Sequence, residues 1–314
     1  MSGCLICGST RYATLFQASD RLYRTTTREF SVVRCVECGL LRLDPQPPPD
    51  ELRRYYPDSY WFAPGVDAAS RLEEAYRRIV LRDHVSFVER ALRSSRAAGP
   101  LLDVGCGGGL FLGLMRARGF RVAGLDFSRE AAAIAWTRQQ VPAVCAMLEN
   151  PPFRPQSLAG VTMFHVLEHL YDPRVYLARV YDLLAPDGRI IVQVPNAASW
   201  QSRLLGRSWN GMDVPRHLFD FRSRDLEKLL ESCGFEIVRR KFFSLRDNPA
   251  GLASSLAPSL DPMARRVRGI AEAPTMRLFK DLIYFALVVG SLPFAIAEAA
   301  FRAGSTVMIE ARRP

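Results

Sequence analysis

From Pro100 onward, short apolar runs alternate with stretches whose apolar residues recur every three or four positions. The runs are LLDVG (101–105), FRVAGLD (120–126), VPAVCA (141–146), GVTMF (160–164), RIIVQV (189–194) and FEIVRRKFF (235–243). Each is short, rich in branched residues and bounded by Gly, Pro or Asp, which predicts strands. The helices between them have readable ends. Leu110 to Arg118 stops at Gly119, and Ser128 caps a helix running to about Gln140. Asp172 caps another with Pro173 at its first position, and Ser223 to Cys233 is followed by Gly234. A Pro186-Asp187-Gly188 turn leads into the fifth strand. Regular alternation of strand and helix predicts an α/β fold with a doubly wound sheet.

Upstream of Pro100 the pattern changes. YATLF (12–16) and FSVVRC (30–35) read as short strands, and DPQPPPDEL (44–52) as a stiff linker. Arg71 to Leu92 reads as one helical stretch with Leu72, Ala75, Tyr76, Ile79 and Val80 on one side. Around the two strands stand Cys4-Leu-Ile-Cys7-Gly8 and Cys35-Val-Glu-Cys38-Gly39. Two such knuckles can offer four thiolates to one tetrahedral zinc ion, and a glycine after each pair lets the backbone turn back over the metal. With Cys4, Cys7, Cys35 and Cys38 filling every position, the expected zinc is structural.

Composition adds limits rather than identity. A chain of 314 residues holds one large domain plus an accessory module, or two modest domains. Hydrophobic content of 48% and charged content of 24% indicate a folded protein. MSGCLICGST lacks a basic region followed by an apolar run, so a cytoplasmic protein with reduced cysteines is expected. The net charge of +10 allows nucleic acid, anionic lipid or phosphorylated small molecules as partners and chooses none of them.

LLDVGCGGG places Asp103, Gly105, Gly107 and Gly109 at a strand-to-helix turn, where folds of this kind hold a nucleotide-like ligand. A dinucleotide fingerprint would put its third glycine at position 110, which is leucine. Asp126 ends the next strand, a suitable distance on to hydrogen-bond a ribose. The D-x-G-x-G-x-G form resembles the first motif of class I S-adenosylmethionine-dependent methyltransferases. The resemblance runs from Leu101 to Phe243 through FHVLEHLYDP (164–173), LLAPDGRIIVQVPN (183–196) and PRHLFDF (215–221). It implies a Rossmann-like methyltransferase sheet with S-adenosylmethionine as cofactor. The glycine loop would hold the methionine part and Asp126 the ribose, with Phe164 also at the cofactor. Glu149, within CAMLEN (145–150), is the candidate for the adenine, and Ala159 stands where an aspartate is frequent.

His165-Val-Leu-Glu168-His169 would be an inverted zinc-protease signature if it lay on one continuous helix. Here GVTMF is a predicted strand, so the motif straddles its end and the following turn, and a metal is not expected there. The carboxyl ends of strands are the ligand-binding edge of such a sheet. His165 is therefore expected to face the methyl donor or acceptor, with Glu168 and His169 in the pocket wall. His217, in SWNGMDVPRHLFDF (208–221), is the candidate base for an acceptor hydroxyl, because imidazole titrates near neutrality.

The knuckles followed by LRLDPQPPPDELRRYYPDSYW (41–61) resemble a bacterial group that includes sugar C-methyltransferases, while HVLEHL (165–170) resembles quinone-pathway O-methyltransferases. Together they imply methyl transfer to oxygen or carbon of a small molecule: a sugar, a glycan or a lipid-linked intermediate. Nucleic acid is not the expected partner. The alternatives are an RNA methyltransferase with a zinc ribbon and a non-catalytic zinc-ribbon interaction protein. The first lacks an N/D-P-P-Y/F motif, and the second leaves the glycine loop and Asp126 without a role. The resemblance also implies that STVMIEARR (305–313) returns as an antiparallel last strand. Residues 248–303 then form a hydrophobic helical insertion. Its apolar run, Leu282 to Ala297, is shorter than the roughly 20 residues a spanning helix needs and is interrupted by Gly290 and Pro293. It is expected either to cover the protein or to touch the inner face of the membrane, where Arg265, Arg266, Arg268, Arg277 and Lys280 suit anionic headgroups. The expected domains are a zinc-ribbon module (1–50), a linker and helical segment (51–99), a methyltransferase domain (100–247 and 304–314) and the insertion (248–303).

Overall fold

The computed structural model describes residues 3–57 and 68–314, the side chains of 68–72 excepted. The predicted role of Leu72 and the end of the 41–61 motif lie outside the described residues. Two compact units share the chain, and they group its segments differently from the expected domains. One comprises Met1–Tyr60, Pro195–Leu226 and Asp247–Val307; the other comprises Trp61–Val194, Glu227–Arg246 and Met308–Pro314.

The second unit is built on a seven-stranded sheet. Its strands are β4 (Leu101–Val104), β5 (Val122–Asp126), β6 (Ala143–Cys145), β7 (Leu158–Phe164), β8 (Leu184–Pro195), β10 (Glu236–Lys241) and β11 (Thr306–Arg312). They lie in the order β10-β11-β8-β7-β4-β5-β6. β4, β5, β6, β7 and β8 pair in parallel, whereas β11 runs antiparallel to β10, as expected of the last strand. The helices are α2 (Ala68–Val80), α3 (Arg82–Ser94), α4 (Leu110–Arg116), α5 (Arg129–Gln139), α6 (Pro173–Leu183) and α8 (Ser223–Ser232). Val85, Val88, Leu112, Met115 and Ile191 are fully buried in one core cluster. The helix starts follow the sequence: Ser128 Oγ accepts the Ala131 N–H at 3.1 Å, and Asp172 Oδ1 accepts those of Arg174 and Val175.

Two local expectations change. The predicted 71–92 helix is α2 and α3, bent at Leu81, which is 5% exposed. The bend interrupts regular helix but not the hydrogen bonding, since Leu81 N–H donates to the Arg77 carbonyl and Val85 N–H to that of Leu81. The Pro-Asp-Gly turn lies inside β8 as a bulge. Pairing with β7 passes from Leu158↔Leu184 to Gly160↔Arg189, so the intervening residues leave the ladder. Asp187 supplies the left-handed residue (φ 62°) and exchanges backbone bonds with Arg313 through its N–H and the Gly188 carbonyl.

The first unit holds an antiparallel sheet in the order β1-β2-β3-β9, from β1 (Tyr12–Ala18), β2 (Phe30–Cys35), β3 (Leu41–Leu43) and β9 (Phe219–Asp220). Its helices are α1 (Pro49–Arg53), α7 (Trp200–Leu205), α9 (Asn248–Leu256), α10 (Pro262–Val267) and α11 (Pro274–Ala300). The predicted insertion is thus three helices joined by short non-helical links. The expected interruption at Gly290 and Pro293 is absent: α11 runs through both for 27 residues. Val288, Ser291, Ala295 and Glu298 form a buried seam that holds the segments on either side of Pro293 in line. The proline then costs the helix one backbone bond and does not end it.

Arg216 is the central tie of this unit. Its guanidinium is completely buried and reaches Asp20 at 2.9 and 3.0 Å, Asp213 at 2.7 Å and the Tyr55 carbonyl at 3.2 Å. It also lies 4.5 Å from the centre of the Tyr23 ring. Burial alone would raise the Asp20 carboxyl; Arg216 and Thr25 outweigh it and hold that group below the usual carboxylate range.

A second knot closes the far end of α11. Glu298, fully buried, accepts from Gln201 Nε2 at 2.8 Å and from the Ser305 N–H at 2.9 Å. Burial pushes its carboxyl up to about 7. A carboxyl raised in the folded state favours folding below its unfolded value, near 4.5, and that advantage is lost as pH rises through about 7. Glu298→Gln keeps the acceptor oxygen and removes the titration. Its melting temperature relative to wild type should rise by roughly 3 °C or more between pH 5 and pH 8. Parallel thermal melts of the two proteins in that range would settle the point, and an offset independent of pH would contradict it.

Candidate active site

The site in the second unit begins at the turn between β4 and α4. Gly105, Gly107 and Gly109 have φ of 73°, 51° and 74°, a region L side chains rarely adopt. A Cβ at Gly105 would sit 2.6 Å from Val166 Cγ2, and one at Gly109 2.8 Å from Ala135 Cβ. At Gly107 an added Cβ meets nothing within 4 Å. The outer glycines therefore serve packing, while Gly107 faces open space where a ligand can approach the backbone.

Asp126 lies across this turn at the end of β5 and is 2% exposed. Its Oδ2 accepts the Gly107 N–H and its Oδ1 the Ser128 N–H, both at 2.9 Å. Each oxygen keeps a further lone pair, so the carboxylate is fixed in orientation and still able to accept from ribose hydroxyls. Burial raises its pKa, and the neighbouring backbone N–H groups oppose that rise. Asp103 is turned toward β7, where Thr162 Oγ1 donates to it at 2.6 Å. Burial pushes Asp103 up to about 7, with Thr162 opposing and Asp126 adding to the shift. Asp126 is thus the acid oriented onto the glycine loop, and Asp103 is tied to β7 behind it.

Two apolar residues at this edge were not anticipated from the sequence. Phe127, directly after Asp126, is 59% exposed, and Met147 is 56% exposed. Their segments are joined: Ala146 N–H donates to the Asp126 carbonyl at 3.0 Å and Cys145 Sγ to the Phe127 carbonyl at 3.5 Å. Exposed apolar groups beside the oriented carboxylate of Asp126 suit a flat heterocycle. The available signal was their position at strand ends, where a side chain has no neighbouring element to cover it.

Glu149, the sequence candidate for the adenine, accepts a hydrogen bond from the Tyr176 hydroxyl. It lines a cavity of about 540 Å³ with Phe153, Arg179, Asp182 and Arg313, to which none of residues 105–109 contributes. Phe164 packs edge-to-face against Phe111 and His84, with ring centres 5.1 and 5.2 Å apart, and so faces the core cluster.

The H-x-x-E-H motif takes the strand-end form expected of it. β7 stops at Phe164, His165 is left-handed (φ 55°), and Leu167–His169 is a single 3-10 turn. The helical spacing of a protease motif is absent. His165 Nδ1 lies 3.3 Å from Glu168 Oε1, and Gln193 Nε2 lies 2.8 Å from His165 Nε2. A Glu168 carboxylate can only accept, so Nδ1–H donates a hydrogen bond to it, and Nε2 then accepts from the Gln193 amide. Both faces of the ring are thereby positioned. His169 is half-buried, and its N–H caps the turn on the Val166 carbonyl.

His217 belongs to the first unit. It is 6% exposed, its Nδ1 donates to the Gly211 carbonyl at 2.9 Å, and Asp213 Oδ2 lies 4.0 Å from Nε2. In the same unit the four knuckle cysteines converge, with every pair of sulfurs within 4.8 Å. Cys4–Cys38 and Cys7–Cys35 are 3.4 and 3.6 Å apart. Zn–S bonds of about 2.3 Å place tetrahedral sulfurs roughly 3.8 Å from each other, so this donor set fits zinc. Gly8 and Gly39 are left-handed (φ 74° and 79°), and their N–H groups donate to the Cys4 and Cys35 carbonyls at 2.9 Å, turning the chain after each pair.

Comparison with known proteins adds four findings. A family model described as a methyltransferase domain matches residues 72–240, more than half of the chain. A protein of Mycolicibacterium smegmatis named a probable S-adenosylmethionine-dependent methyltransferase is 29% identical over 187 residues, 57% of this chain and 61% of that protein. The chain therefore spans about three fifths of that relative's length. A ubiquinone biosynthesis O-methyltransferase of Pseudomonas fluorescens is 26% identical over 185 residues, 54% of this chain and 77% of that protein. Among solved structures, a methyltransferase from Archaeoglobus fulgidus has a TM-score of 0.48 and 20% identity, covering 78% of this chain and 100% of its own.

Proposed function

Given that the chain belongs to the methyltransferase-domain family, we propose that it transfers a methyl group from S-adenosylmethionine to a hydroxylated, lipid-linked small molecule. The observation that carries this reading is the pairing of an open Gly107 with an oriented Asp126. Bound S-adenosylmethionine supplies a methyl group on a sulfonium, open to in-line attack. The loop backbone holds the amino-acid end, Asp126 accepts from the ribose, and Phe127 with Met147 shields the base. His165, locked by Gln193 and Glu168, forms a fixed wall at the carboxyl edge of the sheet; orientation of this kind provides much of the acceleration in a displacement. The lipid-linked character of the acceptor is supported by the quinone-pathway relative and by the long apolar helix α11.

The test supplies methyl-labelled cofactor to protein with cell extract separated into organic and aqueous fractions. Label in an organic-soluble product of 14 daltons greater mass is expected. Label in the aqueous small-molecule fraction would replace the lipid-linked acceptor with a free sugar, and label in RNA would restore the zinc-ribbon RNA enzyme. Cofactor binding without any transfer would leave the non-catalytic alternative. His165→Ala should lower kcat by roughly tenfold or more with cofactor affinity unchanged. His217→Ala tests the other candidate separately, and full activity would remove it from the reaction.

A further inference from the structure

α11 presents an exposed apolar face. Leu278, Phe279, Leu282, Phe285, Val289 and Ile296 are 47–60% exposed. Five of them, at 278, 282, 285, 289 and 296, recur at helical spacing and so share one side. The buried seam of Val288, Ser291, Ala295 and Glu298 lies roughly 120° round the helix at 100° per residue. An unbroken apolar strip along a helix of about 40 Å exceeds the scattered exposed residues of ordinary soluble surfaces.

Length and hydropathy alone would let α11 cross a bilayer. Its attachments exclude that orientation. Near its start, Tyr284 shares a hydrogen bond with Ser254 at 2.9 Å, and Lys280 and Arg265 both bind Glu272. Near its end, Glu298 is held by Gln201 and Ser305, and Trp200 packs on Phe294 and Phe301. Both ends are fastened into the same unit, so the helix lies along its surface.

The charges select the occupant. From Pro262 to Arg302 there are six basic side chains and three acidic ones. The acids are engaged: Glu272 by Arg265 and Lys280, Asp281 by Arg265 and, at 3.9 Å, by Arg277, and Glu298 in the buried knot. Arg277 and Arg302, both exposed, stand at the two ends of the apolar strip. We infer that α11 lies in the plane of a membrane surface rich in anionic lipid, its apolar face among the acyl chains and its terminal arginines at the headgroups. The same helix supports the lipid-linked acceptor proposed above, but vesicle binding is measured without turnover, so its failure and a failure of methyl transfer are distinguishable.

The experiment is flotation of the full-length protein with vesicles of phosphatidylglycerol and phosphatidylcholine, beside vesicles of phosphatidylcholine alone. Wild type should float with the anionic vesicles and lose most of that binding in high salt. Leu282→Glu with Phe285→Glu should weaken partition by roughly tenfold or more while the thermal melt stays cooperative. Should that pair unfold the protein, Arg277→Gln with Arg302→Gln leaves the apolar face intact and should remove most of the preference for anionic vesicles. Undiminished flotation in both double variants overturns the inference, as does failure of wild type to bind. Resistance of membrane-bound protein to alkaline extraction would show a crossing helix instead. Wild-type dimers that Leu282→Glu with Phe285→Glu converts to monomers, without vesicle binding, would assign the face to a second copy of the chain.

Discussion

Gly107→Leu protein should fold, melt within a few degrees of wild type and fail to bind S-adenosylmethionine. Gly107 has φ 51°, so a leucine there costs about 1–2 kcal/mol of backbone strain. That is tolerable, because an added Cβ meets no protein atom within 4 Å. The same side chain fills the space in which a ligand would lie against the loop. A loss of affinity of at least about a hundredfold is expected, equivalent to roughly 2.7 kcal/mol. Gly105 and Gly109 are poorer probes. Their Cβ atoms would strike Val166 and Ala135, so lost binding there could reflect a damaged fold. Isothermal titration of wild type and Gly107→Leu with the cofactor measures the effect, and unaltered affinity would remove the glycine loop from the binding site.

Removal of metal should unfold the N-terminal knuckle module. Protein purified under reducing conditions should contain one zinc per chain, and a strong chelator at neutral pH should abolish the signal of β1, β2 and β3. Four thiolates binding zinc contribute on the order of 10 kcal/mol to a small module, as much as a whole domain's net stability. Cys35→Ser, at a completely buried position, should lose the metal outright. Cys7 is exposed, and Cys7→Ser should bind zinc more weakly while retaining a measurable fraction. Elemental analysis with a melt in the presence and absence of chelator provides both readings. Freshly prepared protein with no zinc and an unchanged melt would falsify the assignment.

The features legible in the sequence are those whose physics is local. The D-x-G-x-G-x-G turn needs left-handed backbone at fixed offsets, and glycine advertises it at 105, 107 and 109. Ser128 and Asp172 announce helix starts because their oxygens satisfy N–H groups two or three residues on. The cysteine pairs are legible because a knuckle closes within five residues and its chemistry tolerates few substitutes. Alternating apolar runs likewise disclosed the strands of the parallel sheet, while the antiparallel return of β11 was implied by the resemblance to class I methyltransferases.

What the sequence could not disclose depends on distant partners. Pro293 looks like a helix breaker until the seam of α11 is seen to continue past it. Nothing near Glu149 in sequence shows that one of its oxygens accepts from Tyr176, 27 residues away. Phe127 and Met147 look like core residues, because a hydrophobic letter carries no record of whether a neighbour covers it. Arg216 reads as one more surface cation, yet it is buried by Asp20, 196 residues away, and Asp213. By itself the sequence determined the strands and helices, the glycine loop and the two cysteine knuckles, since each is signalled by residues a few positions apart. Only the tertiary structure decided which apolar and charged side chains are covered, because burial is a property of pairs brought together across the chain.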